Sequence, residues 1–197
     1  MPLLDSGDRD LAGGNQYSLD VGYGLLKIML EAATLVFFPA LMVSAAISDL
    51  LTLTISNRIS IALAILFVAM AFACGLPARA ILLHLACGAA TLILAFSLFA
   101  RGWIGGGDAK LAAATAIWLG FDHLGDYALS ASALGGLLTL AIIGLRKWPL
   151  PGVLVARRWI ARLHEPGTGV PYGIALASAG LILYPETAIW LAAASIH

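Results

Sequence analysis

Six apolar runs, separated by short polar connections, lay out the chain. The first extends from about Leu25 to Ser48, with Pro39 inside it as the place for a kink. The second covers about Ile59 to Leu76 and is closed by Gly75 and Pro77. The third covers about Ala80 to Phe99, the fourth Ala109 to Phe121 and the fifth Tyr127 to Leu145. The sixth begins near Val170 and is interrupted at Pro185-Glu186; beyond it, residues 187–197 either continue past a kink or lie at the membrane surface. A helix crosses the hydrocarbon core in about 20 apolar residues. The pattern therefore predicts an all-α, polytopic transmembrane helical bundle of about six spans over residues 25–197, preceded by a polar, mobile tail over residues 1–24.

Composition leaves little room for anything else. Of the 197 residues 61% are hydrophobic and 11% charged, against roughly 25% charged in a soluble domain. The formal net charge of zero supplies no bulk field for nucleic acid, and none is expected as a partner. Cys74 and Cys87 form no C-x-x-C pair, which excludes a structural zinc site and a disulfide framework. His84 lies mid-span and reads as a hydrogen-bonded core residue. His123 and His164 fall on opposite sides of the predicted bundle, so they share no metal, and no metal or cofactor is called for. The start of the chain carries Asp5, Asp8, Asp10 and Asp20 against Arg9, unlike the basic opening of a signal peptide.

Charge then orients the bundle. With six crossings, the connections 49–58, 100–110 and 146–169 fall on one side. They hold Arg58, Arg101, Lys110, Arg146, Lys147, Arg157, Arg158 and Arg162, eight of the 11 basic residues. An excess of Lys and Arg marks the cytoplasmic side. The longest connection, Arg146–Gly169, reads as a contact for anionic headgroups of the inner leaflet, worth roughly 1 kcal/mol per basic residue near the surface.

That same side carries two aspartates at helix ends. Asp108 follows three glycines in Gly105-Gly106-Gly107-Asp108-Ala109-Lys110. The simplest role for it is that of N-cap to the next helix. However, only 13 residues separate Asp108 from Asp122, about 20 Å of helix, short of a core of roughly 30 Å. The fourth span must therefore draw its start below the membrane surface. Irregular backbone at that depth has to face protein or a water-filled cleft, and a carboxylate there is a functional-site candidate. Two crossings upstream, Asp49 returns to the same side. Two neighbouring carboxylates disfavour double ionisation and share a proton. Such a pair can hydrolyse a peptide, one member taking a proton from water while the other donates to the scissile carbonyl. The alternative class is a small proton-coupled transporter with the aspartates as relay groups. Against it, no pair of Gly/Pro-broken spans stands at corresponding points of two repeats.

These residues carry a resemblance. Ser48-Asp49, followed by Ile55 and Asn57, resembles the first aspartate motif of the type IV prepilin peptidases. Gly105-Gly106-Gly107-Asp108-Ala109-Lys110-Leu111 resembles their second, glycine–aspartate motif. Val170-Pro171-Tyr172-Gly173-Ile174-Ala175 resembles the segment that opens the last helix of the short members, most closely those of the tight-adherence (Flp pilus) branch. The resemblance implies a membrane aspartic endopeptidase of the bacterial inner membrane. It would remove the basic leader of Flp-type prepilins at the cytoplasmic face, with Asp49 and Asp108 as the catalytic pair. Larger members also N-methylate the new terminus and carry an insertion, usually with two C-x-x-C pairs. This chain has neither, which implies cleavage without methyl transfer. Ser56 stands where the family usually has Pro.

Supporting roles fall to Gly105, Gly106 and Gly107, which let backbone come close to the carboxylate, and to Lys110, Asn57 and Tyr172. Two positions after Asp108, Lys110 points to another helix face, to neutralise the site or to anchor the chain at the membrane surface. Asn57 either holds the Asp49 loop or ends a turn. Tyr172 either donates into the cleft or sits at the interface as tyrosines commonly do.

Overall fold

The computed structural model describes residues 7–149, 151–152 and 156–194, and every element among them is helical. In order they are α1 (Gly7–Thr52), α2 (Asn57–Ala73), α3 (Ala78–Ala100), α4 (Gly106–Leu145), the short α5 (Arg158–His164) and α6 (Tyr172–Leu183). A 3-10 turn at Tyr184–Glu186 then leads into α7 (Ala188–Ala194). The all-α expectation holds.

α1 reaches back to Gly7, so residues 7–24, expected as a mobile tail, are helical. Between Gly7 and the apolar section that starts at Ala32 there is no proline to stop a helix. Residues 1–6 lie outside the described part. The helix also runs on through Pro39, whose missing N–H leaves the Leu35 carbonyl without its intrahelical donor.

α2 stops where its sequence says it should. Gly75, at φ 69°, takes the left-handed position after the helix. Its N–H bonds Phe72 O at 3.1 Å and that of Leu76 bonds Ala71 O at 2.9 Å, the two bonds of a Schellman stop.

The fourth and fifth apolar runs lie on a single element, with the break at Gly120 rather than at the polar stretch 122–126. Gly120 has φ 71° and ψ −177°, a conformation open essentially to glycine alone, while Asp122 through Asp126 continue the helix. The chain folds back at this point. Gly107 and Gly135 would stand about 42 Å apart on a straight helix. Yet Gly135 lies under the Tyr172 ring, and the neighbouring Gly173 touches Ile55, the same side chain that abuts Gly107. The carbonyl of Ile117, at the break, is taken by His84 Nδ1 at 2.8 Å. His84 is thus the hydrogen-bonded core residue expected of it.

An aromatic cluster in the core joins α1, α2 and α4 to the 3-10 turn. Phe38 of α1 stacks on Tyr184 with ring centroids 4.2 Å apart and tilts against Trp118 of α4 at 4.9 Å. Phe67 of α2 meets Trp118 edge-on, and the indole N–H donates to Leu63 O at 3.0 Å. α6 turns small residues inward, with Ala175, Ala177, Ala179 and Gly180 buried. This is how membrane helices bring their backbones close. Outward-facing positions are large and apolar, among them Ile93, Leu94, Leu137 and Leu140, each 65% exposed or more. Such a belt suits lipid, not water. Among the described residues, three helices are long and apolar enough to cross a membrane, or four if the pair bent by 41° at Thr187 counts as one.

Candidate active site

Asp49 lies in the last turn of α1. That helix ends with Leu53 in the left-handed region, φ 54°, its N–H returning to Asp49 O at 2.7 Å. This single 5→1 bond is a common helix stop, but the position usually belongs to glycine. A side chain there costs roughly 1–2 kcal/mol. Residues 53–56 then carry the chain to α2. Ser48 Oγ holds Thr54 O at 2.8 Å, and the Thr52 and Thr54 hydroxyls lie 2.7 Å apart. The hydroxyls near Asp49 are therefore engaged with backbone and with each other.

The Asp49 carboxylate points instead across the bundle. It is 5% exposed and accepts the main-chain N–H of Gly173, at the start of α6, at 2.6 Å. A Cβ at Gly173 would come within 2.8 Å of Asp49 Oδ2 and within 2.8 Å of Ile55 Cδ1. Only glycine leaves room for the carboxylate to reach the backbone.

Asp108 sits one turn into α4. The N-cap is Gly105, not Asp108, because three glycines let the helix start earlier than the sequence suggested. Asp108 falls at the third helical position and hydrogen-bonds back to the Gly105 main chain. This is the return half of a capping box, and it also places negative charge at the positive end of the helix. The side chain is half-buried.

The two acid-bearing segments meet through Ile55. Its Cβ and main-chain N would lie 3.2 and 3.3 Å from a Cβ on Gly107, while its Cδ1 packs on Gly173. One isoleucine thus bridges the residue beside Asp108 and the residue bonded to Asp49. Gly106 is tight for a different reason: a Cβ there would stand 3.2 Å from the Phe99 ring.

The remaining residues named from sequence divide. Lys110 Nζ donates to Asn57 Oδ1 at 2.8 Å, so these two exposed side chains clasp the start of α4 to the start of α2. Asn57 opens α2, and Ser56 is its N-cap, accepting from Arg58 N at 3.3 Å. A proline at position 56 could not offer that oxygen. Tyr172 belongs to the periphery, with its ring over Gly135. Gly173 is the residue that sequence reasoning passed over as a participant, although it stands inside the quoted 170–175 segment. Among the described residues, no group of three or more His, Cys, Asp or Glu is placed to hold a metal ion.

A helical bundle with a lipid-compatible surface and two carboxylates at adjoining helix ends defines a membrane protein with a paired-acid site. The chain belongs to the type IV leader peptidase family, whose profile matches residues 36–143, more than half of its length. It is accordingly a peptidase, a hydrolase. The match includes Asp49, Asn57 and the whole 105–110 stretch. No curated protein and no solved structure matches the chain.

Proposed function

We propose that the protein is an aspartic endopeptidase that removes the leader of type IV prepilins of the Flp type, with Asp49 and Asp108 as its catalytic pair. The observation that carries this reading is the convergence of the two acid-bearing segments on Ile55, which packs between Gly107 beside Asp108 and Gly173 bonded to Asp49. One ionised carboxylate accepts a proton from the attacking water, and its protonated partner donates to the scissile carbonyl oxygen. Asp108, at a helix N-terminus, is the better placed to carry the negative charge. Asp49 then supplies the proton, one of its oxygens remaining on the Gly173 N–H. The three glycines before Asp108 leave space for a substrate backbone to approach.

The proposal includes six crossings of the bacterial inner membrane, with the acids on the cytoplasmic side. Support comes from the six apolar runs, carried by α1, α2, α3, the two parts of α4 on either side of Gly120, and α6 with α7, and from the eight basic residues gathered in the connections on the side of Asp49 and Asp108. It also includes cleavage without N-methylation, since the chain lacks the insertion and paired C-x-x-C motifs of the methylating members. Residues 1–24 precede the peptidase domain, and the Arg146–Gly169 connection faces inner-leaflet headgroups.

The test is coexpression of a Flp-type prepilin with wild type, Asp49→Asn or Asp108→Asn, read by the mobility of the pilin on an immunoblot. Each substitution abolishes processing at unchanged enzyme level; processing by both variants overturns the reading. The mass of the mature pilin N-terminus after cleavage by this enzyme alone decides methyl transfer.

A further inference from the structure

The last turn of the short basic helix α5 and the chain just after it are fastened by two arginines. Arg162 of α5 donates to Leu51 O at 2.5 Å and to Thr52 O at 3.2 Å, two of the orphan carbonyls at the end of α1. Arg146, just past α4, donates through Nε to Leu163 O and through a terminal nitrogen to Thr168 O, both at 2.8 Å. A strap of hydrogen bonds therefore runs from the end of α4 through α5 to the last turn of α1. Arg162 thus joins residues 110 and 111 positions apart in the sequence.

That last turn needs holding. It contains Asp49, and it ends on the strained Leu53, with no basic residue of its own to answer the negative end of the helix dipole. A planar guanidinium holds its N–H donors in a fixed fork that suits two neighbouring carbonyls, whereas an ammonium on a flexible stem fixes no such geometry.

We infer that Arg162 is a positioning residue, holding the end of α1 so that the Asp49 carboxylate stays in register with Gly173 and Asp108. This rests on the peptidase reading. Three other basic residues of the same connection, Lys147, Arg157 and Arg158, are exposed and serve as controls. If Arg162 acted only through its charge, on lipid or on a basic leader, losing one of them would have the same effect.

The experiment measures kcat and KM for prepilin cleavage in detergent-solubilised full-length enzyme, with thermal unfolding followed in parallel. Arg162→Ala lowers kcat by roughly tenfold to a hundredfold, the range for one or two charge-assisted hydrogen bonds, with KM held. Arg162→Lys recovers part of that loss, and Arg157→Ala and Arg158→Ala match wild type. The inference is overturned by an effect confined to KM, by equal losses in the control variants, or by a normal kcat per folded molecule. Asp49→Asn separates the two levels. If it still cleaves, the peptidase reading has failed; if it is dead while Arg162→Ala is fully active, only the role of Arg162 has.

Discussion

The main-chain N–H of Gly173 and the carboxylate of Asp49, 124 positions apart, meet at 2.6 Å in the interior of the bundle. A donor fixed in the backbone cannot rotate away as a hydroxyl can, so it sets which carboxylate oxygen is held and which is left free.

Replacing Gly173 by alanine tests that bond without touching an acid. The added methyl would overlap Asp49 and Ile55 at 2.8 Å, and neither can retreat without moving a helix end. Displacements near 1 Å cost on the order of 10²-fold in rate. Gly173→Ala should lose kcat on that scale while the protein still inserts and accumulates, as judged by membrane-fraction immunoblotting.

Cleavage should show a bell-shaped dependence on pH. At low pH both carboxyls carry protons and no base is left to activate water. At high pH both are ionised and nothing protonates the carbonyl. Activity thus peaks where the pair holds one proton, and the two limbs belong to the pair rather than to either residue. A rate that rose monotonically with pH would contradict a shared proton.

The Lys110–Asn57 clasp is exposed at both ends, which limits its worth. A double-mutant cycle with Lys110→Met and Asn57→Ala should return a coupling of about 0.5–1 kcal/mol in unfolding free energy, the low side for a hydrogen bond.

Gly120→Ala should be costly to stability. It forces a side chain into φ 71° and sets a methyl 2.9 Å from His84 Cε1. Such conformations cost about 1–3 kcal/mol. Thermal unfolding should begin several degrees lower, and His84→Ala, which strands the Ile117 carbonyl, should also destabilise.

What the sequence made legible follows from local chemistry. Asp49 and Asp108 stand out because a carboxylate among apolar residues has few structural uses, and a count of crossings puts both on one side. Gly75 announces the end of α2 because a left-handed stop favours glycine. The long-range pairings were not legible. Nothing near Gly173 says that its N–H will meet Asp49, and Arg162 reads as one more surface charge in a basic connection. The Gly120 break was misplaced because polar residues 122–126 look like a loop, whereas backbone freedom decided the matter. Asp108 shifted from the N-cap to the third helical position because three consecutive glycines offer more than one place to start a helix.

Asp49 and Gly173 also stand in a fixed order of synthesis. The acid leaves the ribosome with the first apolar run, and its donor arrives only with the last. Until α6 has slotted between α1 and α4, a growing chain holds both aspartates but has nothing to aim the first of them. If Asp49 and Asp108 do the cutting, a copy that has not yet made α6 is expected to be idle.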